Sequence, residues 1–140
     1  MKRPPYKEFE HTADIGMEMC GATLEELFRN AGRALFDTIV EIDRIQPHVE
    51  RNVSVTGDDD ELLLMNWLRR LLYLFAVESE VYGEFRIVAL QSGALQAVVT
   101  GEPLDMERHH FKTELKAITY HQFRLIHEQD GWRATVIFDV

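Results

Sequence analysis

The sequence predicts an α+β fold: a single domain over residues 1–140, with mostly antiparallel strands packed with two main helices. Three observations carry this expectation. Two long segments place apolar residues at helical spacing, and several shorter ones alternate. The alternating segments group around the helices without the regular βα succession of a parallel sheet, and no repeat or Pro/Gly/Ser-rich linker divides the chain.

Residues Tyr6–His11 and Ile15–Cys20 alternate as extended segments, joined by Thr12-Ala13-Asp14, and Gly21 breaks the second. Thr23-Leu24-Glu25-Glu26 is a helix start. The Thr23 hydroxyl can accept from a free amide of the first turn, and Glu26 can reach back to complete a capping box. Leu24, Leu27, Phe28, Ala31, Ala34, Leu35 and Ile39 follow on one stripe, so the first helix runs from about Leu24 to Val40. That stripe requires a sheet to lie on.

Pro47 separates this helix from a short strand over Val49–Thr56. The run Asp58-Asp59-Asp60-Glu61 has two readings, a cation cluster or an acidic first turn favoured by the helix macrodipole. The strongly helical residues behind it select the second. The helix from about Asp60 to Glu78 carries Leu62–Leu64, Trp67, Leu68, Leu71, Leu72 and Phe75, apolar over more than half its circumference, and reads as a central element. Phe85–Leu90 and Leu95–Gly101 flank Gln91-Ser92-Gly93 as a hairpin, and Glu102–Lys112 reads as a polar loop. Phe123–His127 and Trp132–Phe138 flank Gln129-Asp130-Gly131, and Asp-Gly between alternating runs is the strongest hairpin signal in the chain.

The bulk chemistry narrows the function classes. A chain of 140 residues, 46% hydrophobic, can bury a core without disulfides or metal staples. No apolar run reaches the roughly 18 residues of a membrane span, because Asn66, Arg69 and Arg70 interrupt the longest. Met1-Lys2-Arg3-Pro4-Pro5 is not followed by the apolar core of a signal peptide. The one cysteine, Cys20, excludes an internal disulfide framework and a four-thiolate zinc site. The expected setting is therefore the cytoplasm. The formal charge is −9, and the basic residues are scattered, with small clusters only at Arg69-Arg70 and Arg108-His109-His110. Binding phosphates needs a concentrated basic face, so strong direct nucleic-acid binding is not expected. A partner with a basic surface, or a bound cation, fits the charge better.

Candidate chemistry lies where elements end. Asp14 sits at the turn of His11-Thr12-Ala13-Asp14, where an Asp often bonds its own backbone. Asp139 follows the apolar strand Ala134–Phe138, where an ordinary polar tail is the plain alternative. If the two carboxylates meet, they repel unless protonated or bridged by a cation. Carboxylates with carbonyl oxygens make a hard-oxygen site suited to Ca²⁺ or Mg²⁺ rather than Zn²⁺, and a main-chain or terminal oxygen of Val140 can complete it. The histidines His11, His48, His109, His110, His121 and His127 match no short zinc spacing, and most read as surface or hydrogen-bonded residues, with His121 open to a buried structural role. Cys20 reads as a small buried thiol, none of Ser54, Ser79 and Ser92 lies in a nucleophile elbow, and no glycine-rich phosphate loop occurs. The residues give no positive sign of an enzyme.

The blocks His11-Thr12-Ala13-Asp14-Ile15-Gly16, Trp67-Leu68, Gly101-Glu102-Pro103, Glu114-Leu115-Lys116-Ala117-Ile118-Thr119-Tyr120-His121 and Val136-Ile137-Phe138-Asp139-Val140 together resemble the archease family, in order and over nearly the whole chain. The last two blocks in combination are the specific ones. The resemblance implies a non-catalytic, metal-binding cofactor protein that activates an RtcB-type tRNA-splicing RNA ligase by promoting guanylylation of the ligase histidine and multiple turnover. It implies metal ligands at Asp14, Asp139 and the Val140 carbonyl, calcium being the first choice of divalent metal, with Lys116 in the same functional cluster. Two rival readings stay open. One is a stand-alone metal-dependent hydrolase or nuclease using His11, Asp14, His121 and Asp139. The other is a generic chaperone or interaction module that would tolerate loss of either aspartate.

Overall fold

The computed structural model describes residues 3–11 and 14–140, with Glu10 and His11 described by their backbone alone. The chain runs β1 (Tyr6–His11), β2 (Asp14–Gly21), α1 (Leu24–Ile39), a short 3-10 turn (Ile42–Arg44), β3 (Val49–Thr56), α2 (Asp60–Glu78), β4 (Glu80–Gln91), β5 (Ala94–Pro103), β6 (Ala117–Glu128) and β7 (Gly131–Asp139). All pairings are antiparallel. They form a four-stranded sheet in the order β1-β2-β7-β6 and a three-stranded sheet in the order β3-β5-β4. The expected α+β class, with two helices against antiparallel strands, is what the chain adopts.

Both helices start as local chemistry dictates. The Thr23 hydroxyl accepts from the amide of Glu26 at 3.1 Å, and the Asp59 carboxylate accepts from the amide of Leu62 at 2.7 Å. The acidic run is thus a helix cap. Ser79, at φ 53°, ends α2 in the left-handed region, and its amide donates to the carbonyl of Phe75. Helix α1 packs on β2 of one sheet and β4 of the other, while α2 touches β6 as well as β3, β4 and β5. The core lies around this helix pair. Trp67 is fully buried, and its indole N–H, which burial would otherwise strand, donates to the carbonyl of Phe28 on α1 at 2.9 Å. Phe36, Tyr82, Phe85 and Trp67 stack edge to face and face to face where α1, α2 and β4 meet.

Five strands extend beyond their predicted bounds, β2 and β7 by one residue at each end and three others as follows. β4 begins at Glu80 rather than Phe85, because register shifts at Tyr82/Glu84 and Ile87/Ala89 break the alternation that would reveal it. β5 continues to Pro103, so Glu102 belongs to a strand and not to the polar loop. β6 begins at Ala117 rather than Phe123. Its pairing with β7 is regular from Ala117 to Thr119, interrupted, and regular again from Arg124. Gln122 within the interruption has φ 58°.

The β6–β7 hairpin turns at Gln129-Asp130, within the expected Gln129-Asp130-Gly131 segment, and Gly131 opens β7. Gly131 has φ 143°, and a Cβ there would come within 2.5 Å of the Gly21 carbonyl oxygen. Only glycine meets both conditions. Among the described residues, no helix is long and apolar enough to cross a membrane.

Candidate functional site

Strand β7 inserts between β2 and β6, and this brings distant residues to one end of the four-stranded sheet. In the β2–β7 register Ile15 lies opposite Phe138, so Asp14 and Asp139 are the strand-end residues adjoining that pair. In the β6–β7 register Ala117 lies opposite Asp139, and the amide of Lys116 donates to the Asp139 carbonyl oxygen at 2.8 Å. Asp14, Lys116 and Asp139 therefore occupy neighbouring strand ends on β2, β6 and β7. Asp14, Asp139 and Val140 are half-buried, and Lys116 is exposed. Directly opposite residues of an antiparallel pair stand about 4.5–5.5 Å apart at Cα, so this sheet end concentrates two carboxylates and a lysine with main-chain oxygens between them.

The backbone of His11 pairs with Asp14 across the β1–β2 turn. Thr12 and Ala13 of the same motif lie outside the described residues. His121 is exposed within the irregular stretch of β6, so the buried structural role left open for it does not hold. The β7 pairing is interrupted from Tyr120 to Phe123, where Tyr120, His121 and Gln122 are exposed while Phe123 turns into the core. No group of three or more His, Cys, Asp and Glu draws together among the described residues. Cys20 is half-buried, not buried, and its thiol donates to the Pro4 carbonyl at 2.9 Å.

A second polar cluster was invisible in the sequence. Glu102 and His109 are buried, His109 completely. His109 Nδ1 accepts the amide N–H of Asp105 at 2.9 Å, which leaves Nε2 to donate to Glu102 Oε2 at 2.7 Å. The same carboxylate oxygen accepts from the amide of Gln46 at 2.7 Å, and Glu102 Oε1 lies 2.6 Å from the Arg108 guanidinium. Burial opposes the charged form of Glu102, but the Arg108, His109 and Gln46 donors outweigh it and hold its carboxyl down at about 2. With both ring nitrogens committed, His109 has no free position for a proton shuttle. The cluster ties the 104–112 loop and the 3-10 turn region to β5. The one signal for it was the Gly101-Glu102-Pro103 block. Next to it, Arg51 bridges Glu80 at 2.9 Å and Glu78 at 3.3 Å, and the Tyr82 hydroxyl donates to Glu80 at 2.6 Å. Burial and then the Glu80 hydrogen bond push the Tyr82 phenol up.

The fold is an antiparallel two-sheet α+β domain with a polar cluster at one end of its four-stranded sheet. The model of the Archease protein family (MTH1598/TM1083) matches residues 6–140. The chain is 40% identical to protein archease of Methanosarcina acetivorans, over 96% of this chain and 95% of the relative. It is 41% identical to protein archease of Pyrococcus furiosus, over 96% and 98%. The solution structure of protein 1598 of Methanobacterium thermoautotrophicum superposes with a TM-score of 0.79 at 30% identity, covering 97% of this chain and 99% of that one. A crystal structure from Thermotoga maritima, described as an archease and possible chaperone, shares the fold with a TM-score of 0.69 at 23% identity, covering 100% and 98%. The chain belongs to the archease family.

Proposed function

We propose that this archease activates an RtcB-type tRNA-splicing RNA ligase, promoting guanylylation of the ligase histidine and its repeated turnover, and does no chemistry on RNA itself. The observation that supports the reading best is the convergence of Asp14, Lys116 and Asp139 at one end of the β2–β7–β6 sheet. These are the residues the family resemblance singles out, and they come from three separate parts of the chain.

The donors at this sheet end fit a hard divalent cation, calcium in first place. All are oxygens: the carboxylates of Asp14 and Asp139 and a main-chain oxygen of Val140. The Asp139 carbonyl accepts from the Lys116 amide, and the family resemblance points to the Val140 oxygen as the main-chain ligand. The bound ion would offset the charge of the two neighbouring carboxylates and fix their positions at the sheet end. Lys116 adds a mobile ammonium beside it. Acidic groups held on strand ends, with this ammonium beside them, can position phosphate groups and metal ions in a partner's nucleotide pocket, lowering a barrier by placement and charge. The setting for this work is the cytoplasm.

The test is a guanylylation assay of the ligase with GTP, with and without this protein. Stimulation is expected from the wild type. Asp14→Ala, Lys116→Ala and Asp139→Ala should each lose most of it while unfolding at a temperature near the wild type's, since these groups lie outside the apolar core. Variants that stay folded and stimulate normally would move the activating surface elsewhere. Turnover of RNA by the purified protein and a metal alone would favour a stand-alone nuclease instead.

A further inference from the structure

At the opposite end of the same sheet from Asp14 and Asp139, the structure holds a cleft of about 750 Å³. It lies between the N-terminal segment, the first half of α1 and the β6–β7 turn. The volume falls in the range of about 300–1,000 Å³ typical of small-molecule sites. We infer that this cleft binds a ribonucleotide of mononucleotide size, through a phosphate held by Arg29 and Arg33 and a base laid against Trp132.

Three parts of the lining match three parts of such a ligand. Arg29 and Arg33 sit one turn apart on α1 and both line the cleft. Neither has a carboxylate partner among the described residues. Arg33 gives one N–H to the Gly83 carbonyl at 3.2 Å and keeps its other donors. In contrast, the third arginine of the lining, Arg3, is paired with Glu128 at 3.2 Å. In a chain of charge −9, two uncompensated guanidiniums one turn apart on a cleft wall form a fork suited to phosphate. Trp132 supplies the flat apolar surface. His127 stacks on one face of its indole, with ring centroids 4.0 Å apart and planes within 4°, so the part that lines the cleft is the other face or the edge. Base stacking on an aromatic is sequence-tolerant, because every base presents a π-face. Finally, Glu26 and Asp130 line the same cleft and can accept from sugar hydroxyls, which inorganic phosphate lacks. The floor is rigid, since Gly21 and Gly131 bring two backbones so close that a Cβ on Gly131 would strike Gly21.

The protein carries two built-in reporters. Of its two tryptophans, Trp67 is sealed in the core, so a ligand-dependent fluorescence change reports Trp132. The only cysteine, Cys20, also lines the cleft. Titration with GMP and AMP should quench Trp132 saturably and slow the reaction of Cys20 with a disulfide reagent. Inorganic phosphate should compete at least tenfold more weakly. Arg29→Gln, at a side chain with no hydrogen bond or ion pair among the described residues, should weaken the mononucleotide at least tenfold with an unchanged thermal unfolding temperature. Trp132→Leu, followed through Cys20 protection, should also weaken it. The inference is overturned by unsaturable fluorescence with no Cys20 protection, by Arg29→Gln binding as the wild type does, or by phosphate alone binding as tightly as GMP. Ligase activation through Asp14, Lys116 and Asp139 is a separate measurement, and either result can fail without the other.

Discussion

Replacing Glu102 with alanine leaves three donors without their shared acceptor. The fully buried Nε2–H of His109 has nowhere else to turn, and an unsatisfied buried donor costs about 1–3 kcal/mol. The Gln46 amide is only part-buried and can find water at lower cost. Arg108, 45% exposed, can swing into solvent, and its ion pair contributes little once screening is counted. The expected destabilisation is about 2–4 kcal/mol by urea unfolding. Glu102→Gln keeps one oxygen for His109 and Gln46 and loses charge assistance, so about 1 kcal/mol is expected. The two variants also make a pH test. The folded carboxyl of Glu102 sits at about 2 against an ordinary 4.5, so the unfolded chain binds the extra proton between these values. The stabilisation is present above pH 4.5 and drains away as pH falls through about 2. The gap between wild type and Glu102→Gln should therefore be constant at neutral pH and close progressively in acid. A Glu102→Ala protein within about 0.5 kcal/mol of wild type, or a gap unchanged at pH 3, would refute this account of the cluster.

Trp67→Ala should cost about 3–5 kcal/mol by the same unfolding assay, through a void at the α1–α2 contact and loss of the indole hydrogen bond to the Phe28 carbonyl. Gly131→Ala should destabilise by at least about 1 kcal/mol, because the backbone is at φ 143° and the added methyl meets the Gly21 carbonyl; a neutral result would show that the turn relaxes freely. If calcium occupies the Asp14/Asp139 sheet end, a concentration a hundredfold above its dissociation constant stabilises by about 2.7 kcal/mol. Differential scanning calorimetry should show that shift in the wild type and not in Asp14→Asn or Asp139→Asn.

What the sequence revealed and what it hid divide by the range of the interactions. The bounds of α2 were legible to the residue, because Asp59 caps it locally and its apolar positions repeat within one turn. The Gln129-Asp130-Gly131 turn was legible for the same reason. β6 was only half legible: three residues pair regularly, pairing is interrupted over four, and the rest pair again, so no alternation spans Ala117–Gln122. Glu102 and His109 were read as polar loop residues because a distant segment buries them, and no local pattern encodes that cover. Asp14 and Asp139 could be named as strand-end carboxylates. Their adjacency could not be derived from spacing, since it depends on β7 entering the sheet between β2 and β6.

That insertion orders the events of folding. Of the strands described, β7 is the last in the sequence, yet it lies inside the four-stranded sheet with a partner on each side. As the chain leaves the ribosome, β1 and β2 can pair as a local hairpin, and the β3-β5-β4 sheet can close. β2 must wait with one edge open over an interval spanning most of the sequence, whereas β6 meets β7 across a two-residue turn. Closing so long a loop is slow, and an open apolar edge is a template for pairing with other chains. The final strand seals that edge and sets Asp139 beside Asp14 in the same act. A chain lacking β7 would leave the β2 edge open to pairing with other chains, and Asp139 would not stand beside Asp14.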